Sequence, residues 1–157
     1  MEQKARHDIV QILAAGQDMT IATTREDGWP QATVVSYVSD GLSIYFGCSA
    51  DSQKARNLAR DPRASIAVTL PYGQWDEIRG VSLAGLAQRI TDPQQALEIG
   101  RLFLEKFPQV GQAFDASEGG GLALFCVTPT VVSILDYRQG FGHTQLVEAG
   151  ELEIEPA

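Results

Sequence analysis

The sequence predicts an α+β domain whose sheet is mainly antiparallel and bent toward a barrel. About six or seven short runs rich in β-branched and aromatic residues follow one another along the chain. Asp27-Gly28 and Asp40-Gly41 join the early runs as hairpins, which excludes a purely parallel sheet for the first half. Only three helical patterns interrupt the strands, so the sheet dominates.

Residues 2–16 read as an amphipathic helix with Ala5, Ile9, Ile12 and Leu13 on one face and Gly16 as its stop. Met19–Thr24 is a strand, Glu26-Asp27-Gly28 a turn, and Gln31–Val38 the next strand, led in by Pro30. Leu42–Cys48 follows, with Leu42, Ile44, Phe46 and Cys48 on one side. A short helix starts near Ser52 and stops at or before Asp61, because Pro62 disfavours helix in the residue before it. Ala64–Leu70 is a buried strand, residues 71–78 a loop, and Arg79–Ile90 a long strand in which Gly80 and Gly85 mark bulges or close backbone approaches. Asp92 and Pro93 open a helix that runs to about Phe107 and buries Ala96, Ile99, Gly100, Phe103 and Phe107. Residues 108–121 read as a connector. Leu122–Val127 and Val131–Leu135 read as two strands interrupted by Thr128-Pro129-Thr130. A hairpin near Ala149-Gly150 and an acidic edge strand close the chain. The whole is expected to be one domain over 1–157, with a core at about 17–138 and an acidic tail at 139–157.

Charge and composition narrow the function. The formal net charge of -8 among 157 residues argues against nucleic-acid binding, which draws on basic surface. No apolar run is long enough to span a bilayer, and the first residues lack a signal-peptide core, so no membrane association and a cytoplasmic location are expected. Two cysteines and two histidines, all far apart in sequence, give no metal-ligand spacing and favour free thiols.

The stretch YFGCSADSQKARNLARDP, Tyr45–Pro62, carries the most chemistry. A helix start leaves N–H groups unpaired, and its dipole favours negative charge. Ser49, Ser52 and Lys54 at that point make a candidate phosphate cradle. The plainer alternative is a helix capped by Asp51 or Ser52, with Lys54 in solvent. Lys54 and Arg56 are two residues apart and do not face the same way, so Lys54 is the single cation expected at the helix start.

The fragments DG.P.AT.VSY, DG.SIYF, S.S.K.RNL..DPR.S.AV and LAGLAQRITDP, in that order and spacing, resemble the pyridoxamine 5'-phosphate oxidase-like family of FMN-binding split barrels over most of residues 17–135. The resemblance implies a split β-barrel and a homodimer with FMN in a groove at the interface. It implies phosphate contacts from Ser49, Ser52, Gln53 and Lys54. It places the flavin ring along Thr33, Val34, Val35 and Ser36, flanked by Phe46, Gly47 and Cys48. Small and β-branched residues on a strand suit a flat apolar ring, and an arginine, Arg79 or Arg89, could supply charge near it. A solvated surface role is the plainer reading of either one.

Two positions depart from the oxidase. It has Ser-Arg-Lys where this chain has Ser52-Gln53-Lys54, and an arginine where this chain has Thr33. Its arginine-rich C-terminal substrate segment is also missing, so vitamin B6 oxidation is not expected. Gly140-Phe141-Gly142-His143 stands there instead and is similar to the tail of flavin-binding relatives, which implies Phe141 and His143 as ring contacts from the second chain. The plainer reading is a turn with one buried aromatic. The functional expectation is a flavin-dependent oxidoreductase acting on a small molecule. The alternatives are a non-catalytic flavin store or sensor, or a relative binding the deazaflavin F420 or haem, with His143 as axial ligand. Trp29, Tyr72 and Trp75, in loops, read as local packing or as covers of a ligand pocket.

Overall fold

Most of these local signals become elements in the computed structural model, which describes residues 2–110 and 121–148. Helix α1 (Glu2–Ala15) buries Ala5, Ile9, Ile12 and Leu13, and Gly16 closes it by donating its N–H to the Ile12 carbonyl. The strands are β1 (Asp18–Thr24), β2 (Pro30–Ser36), β3 (Val38–Asp40), β4 (Ser43–Ser49), β5 (Arg63–Thr69), β6 (Arg79–Arg89), β7 (Leu122–Asp136) and β8 (Thr144–Glu148). Two further helices, α2 (Gln53–Arg60) and α3 (Pro93–Lys106), follow β4 and β6. The hairpin expected near Ala149-Gly150 and most of the connector lie outside the described residues.

All pairings are antiparallel, in the order β2-β1-β5-β6-β7-β4-β3, with β8 added beside β7. β2 and β3 stand at opposite ends of that order, yet only Tyr37 separates them in the chain. One residue spans at most about 3.6 Å. The sheet therefore curls until its two ends meet at Tyr37, which is the α+β split barrel the sequence predicts. The strand expected over Gln31–Val38 is broken at this point. Tyr37 turns its ring into the core, fully buried, and its hydroxyl donates to the Leu13 carbonyl at 2.6 Å. Burial pushes this phenol's pKa up. Lys106, at the end of α3, donates to the carbonyls of Gly16 and Tyr37 and lies 4.2 Å from the Tyr37 ring centroid.

β7 corrects a second expectation. It runs unbroken through Thr128-Pro129-Thr130, because the bulge falls there. Gly85 pairs with Pro129 and Ala84 with Val131, so Thr130 is the extra residue, and its hydroxyl donates to the Ala84 carbonyl. A Cβ on Gly85 would sit 2.8 Å from the Thr128 carbonyl oxygen, and one on Gly80 2.4 Å from that of Val68. Both glycines are the close approaches read from the sequence. Along β4, Ile44 and Phe46 point inward, and Phe46 stacks on Phe125 at 5.3 Å between ring centroids.

The stripe expected to be buried on α3 is a third correction. Only Ile99 is buried, while Gly100 is exposed and Ala96, Phe103 and Phe107 are half-covered. The helix stands over the outer side of β4 and β7 with a gap beneath it. No helix among the described residues is long and apolar enough to cross a membrane.

Candidate functional site

The start of α2 is built by its own sequence. Ser52 caps the helix, its hydroxyl accepting from the Ala55 N–H at 3.2 Å. The Ser49 hydroxyl accepts from the Asp51 N–H, and the Ser52 N–H donates to the Ser49 carbonyl. These contacts shape the turn and leave the N–H groups of Gln53 and Lys54 as donors for which the helix has no acceptor. Lys54 is half-buried, and no hydrogen bond or ion pair engages it among the described residues.

Arg56 departs from the expectation that only Lys54 serves the helix start. Its side chain folds back along the helix, donating to the Asp51 carbonyl at 2.8 Å and to Gln53 Oε1 at 2.9 Å. The guanidinium thus stands at the Ser49–Gln53 turn. Spacing could have found it, since residues three apart share a helix face and Gln53 is a natural acceptor for Arg56.

A buried network fixes this helix against the sheet. Asn57 is fully buried. Its amide donates to Thr23 Oγ1 on β1 and to Gln31 Oε1 on β2, both at 3.0 Å. Gln53 in turn donates to Asn57 Oδ1 at 2.8 Å. Gln53 therefore has a structural task between Asn57 and Arg56. Sequence reasoning missed Asn57, a polar side chain set between the buried Ala55 and Leu58.

β2 is an edge strand, so every other residue turns its N–H and C=O away from β1, toward the open seam. Its side chains alternate. Thr33 and Val35 face inward, Val34 and Ser36 outward, and Val34 is 70% exposed. Val35 packs on the core, and Thr33 Oγ1 is buried with no hydrogen-bond partner among the described residues. Ser36 donates to Asp18. Across the seam Gly47 faces outward and shares one cavity with Ser36, whereas the Phe46 side chain belongs to the core. Cys48, half-buried, packs against that core, and Cys126, paired with the outward Tyr45, faces the other side of the sheet; both thiols are free.

The remaining sequence candidates lie elsewhere. Phe141 and His143 follow β7, whose first residue, Leu122, pairs with Ser49 fourteen positions before Asp136. The Gly140–His143 turn and the α2 start therefore stand at opposite ends of β7 and do not meet within one chain. Phe141 is 82% exposed and stacks on Trp75, with Tyr137 against its other side. Arg79 belongs to this far end, its Nε buried and without a partner. Arg89 is exposed at the other end of β6. Among the described residues no cluster of His, Cys, Asp or Glu could hold a metal ion.

The pattern of the pyridoxamine 5'-phosphate oxidase family matches residues 5–136. The chain belongs to this family. No curated protein matches it. Among solved structures, a haem-binding protein from Mycobacterium smegmatis superposes with a TM-score of 0.79 at 26% identity, over 94% of this chain and 59% of that one. A conserved hypothetical protein from Mycobacterium tuberculosis gives 0.73 at 27% identity, over 92% of each chain. An F420 reductase gives 0.61 at 23% identity, over 78% of this chain and 94% of that one, a likeness that shows the fold alone. The family is thus settled, and the solved structures that share its fold include a haem-binding protein and an F420 reductase.

Proposed function

We propose that the chain binds FMN between two copies of itself and serves as a flavin-dependent oxidoreductase. The observation that carries this is the α2 start, where two N–H groups without a helical acceptor stand with Lys54 in the first turn and the folded-back Arg56 at the Ser49–Gln53 turn, on a helix that Asn57 ties to Gln31 of β2. A phosphate fits such a donor set, because charge-assisted hydrogen bonds from N–H groups and cations satisfy its oxygens. The ring would run along the β2 edge toward Gly47, with the free backbone groups of that edge as polar contacts. Bound there, FMN would supply the electron or hydride chemistry, while these residues orient it and exclude water.

The second copy is supported by the outer face of the sheet. Val34, Thr20, Ala67, Ser82, Ser133 and Leu146 pair in one row across six strands. All are uncharged, and Val34 and Leu146 are each 70% exposed. An uncharged, partly apolar outer row of this kind is suited to a twofold partner. In such a pair the Trp75–Phe141 stack and Arg79, remote from α2 in their own chain, are available to the partner's cofactor. The absorbance spectrum of the purified protein tests the proposal. Flavin bands support it, a Soret band points instead to haem on His143, and a deazaflavin band points to F420.

A further inference from the structure

The gap beneath α3 is a cavity of about 720 Å³, inside the range of roughly 300–1,000 Å³ usual for small-molecule sites. Its walls are mostly apolar. Leu97, Phe103, Leu104 and Phe107 come from the helix, and Leu122 and Leu124 from β7. Among the described residues its one charged lining residue is Arg101, which is exposed and paired with Glu105 at 2.8 Å. Ser36 and Gly47 close the side toward the seam, which makes the cavity continuous with the place proposed for the flavin ring. Gly47 helps keep that passage open, since a Cβ there would stand 3.2 Å from Leu124 Cδ2.

Gly100 points to an occupant independently. It lies inside α3 and lines the cavity, and a Cβ on it would meet nothing within 4 Å. A glycine inside a helix destabilises it relative to alanine, and the packing of the described residues gives no reason for one here.

We infer that this cavity holds an uncharged, largely apolar, ring-sized substrate beside the flavin. The inference rests on the flavin proposal for what lies next to the cavity. The mostly apolar walls accept an apolar guest, whereas a phosphate or carboxylate set against them would lose its hydration without gaining a partner. The substrate class therefore differs from a phosphorylated pyridoxamine.

Isothermal titration of the FMN-loaded protein with 2-naphthol and with 2-naphthyl phosphate tests this. The neutral probe should bind at least about tenfold more tightly, a 1.4 kcal/mol difference. Gly100→Phe, which fills open space, should weaken 2-naphthol about tenfold or more and leave FMN affinity unchanged. Should that variant not fold, Leu104→Lys, at a half-exposed position, should weaken the neutral probe by setting a charge in the apolar wall. Equal affinity for the two probes, no 2-naphthol binding, or binding indifferent to both substitutions would overturn the inference. FMN binding without 2-naphthol binding overturns this inference alone. Binding of 2-naphthol by a chain that takes no FMN overturns the flavin reading, and the substrate role with it.

Discussion

At the scale of single residues, the proposed phosphate site rests on the distribution of positive charge at the α2 start. Lys54 has no competing partner, and Arg56 is preset by Gln53 and the Asp51 carbonyl. Lys54→Ala and Arg56→Ala should each weaken FMN by about 1.5–3 kcal/mol while changing riboflavin little, because each removes a charge-assisted contact to phosphate alone. Parallel fluorescence titrations of the two ligands measure this, and equal losses for both would take the residue out of the phosphate site. Ser52 and Lys54 were legible in the sequence because a cap and a basic first turn are local features. Arg56 was not, because two residues of separation says that it faces away from Lys54 and nothing about how far a guanidinium reaches back.

At the scale of elements, α2 is held by one polar hub. Asn57→Ala would leave the buried Thr23 and the half-buried Gln31 with lost partners and should cost about 1–3 kcal/mol in urea unfolding, the usual cost of an unsatisfied buried group. An unchanged midpoint would mean that the hub contributes no net stability. A second test concerns the end of β7. Asp136 is buried and receives hydrogen bonds from the Arg138 side chain and backbone and from Gln139, and these hold its pKa below the usual carboxylate range. The stability gained this way is present above the unfolded value, about 3.9, and is lost as pH falls through the lower native one. The native chain should therefore lose more stability on acidification below about pH 4 than Asp136→Asn does. Parallel loss in the two would show that the carboxylate is not linked to folding.

Element boundaries read from caps survived well. Ser52 and Pro62 bracketed α2, and Asp92-Pro93 opened α3, because these signals act within one turn. Thr128-Pro129-Thr130 misled for the opposite reason. Whether a proline breaks a strand depends on its neighbour, and here the bulge opposite Ala84 and Gly85 absorbs it. The apolar stripe of α3 likewise specified a face without specifying what covers it.

At the scale of the whole molecule, the antiparallel hairpins and the family resemblance were enough to read the split barrel. Its closure was not, since Tyr37 joins strands at opposite ends of the sheet through contacts with Leu13 and Gln17 that no local pattern encodes. The site reads the same way. The α2 start is local and complete in one chain, while Phe141 and His143 stand a full β7 away, so that under the proposal they would reach a flavin only from a second chain.

The central claim is thus that two copies build each site together, which ties dimerisation to cofactor by mass action. Sedimentation velocity across falling protein concentration, with and without FMN and with flavin absorbance followed in the same run, tests it most directly. The account predicts that FMN shifts the monomer–dimer midpoint to lower protein concentration and that flavin leaves the protein as the dimer dissociates. A monomer that keeps its flavin, or a dimer whose dissociation ignores FMN, would contradict it.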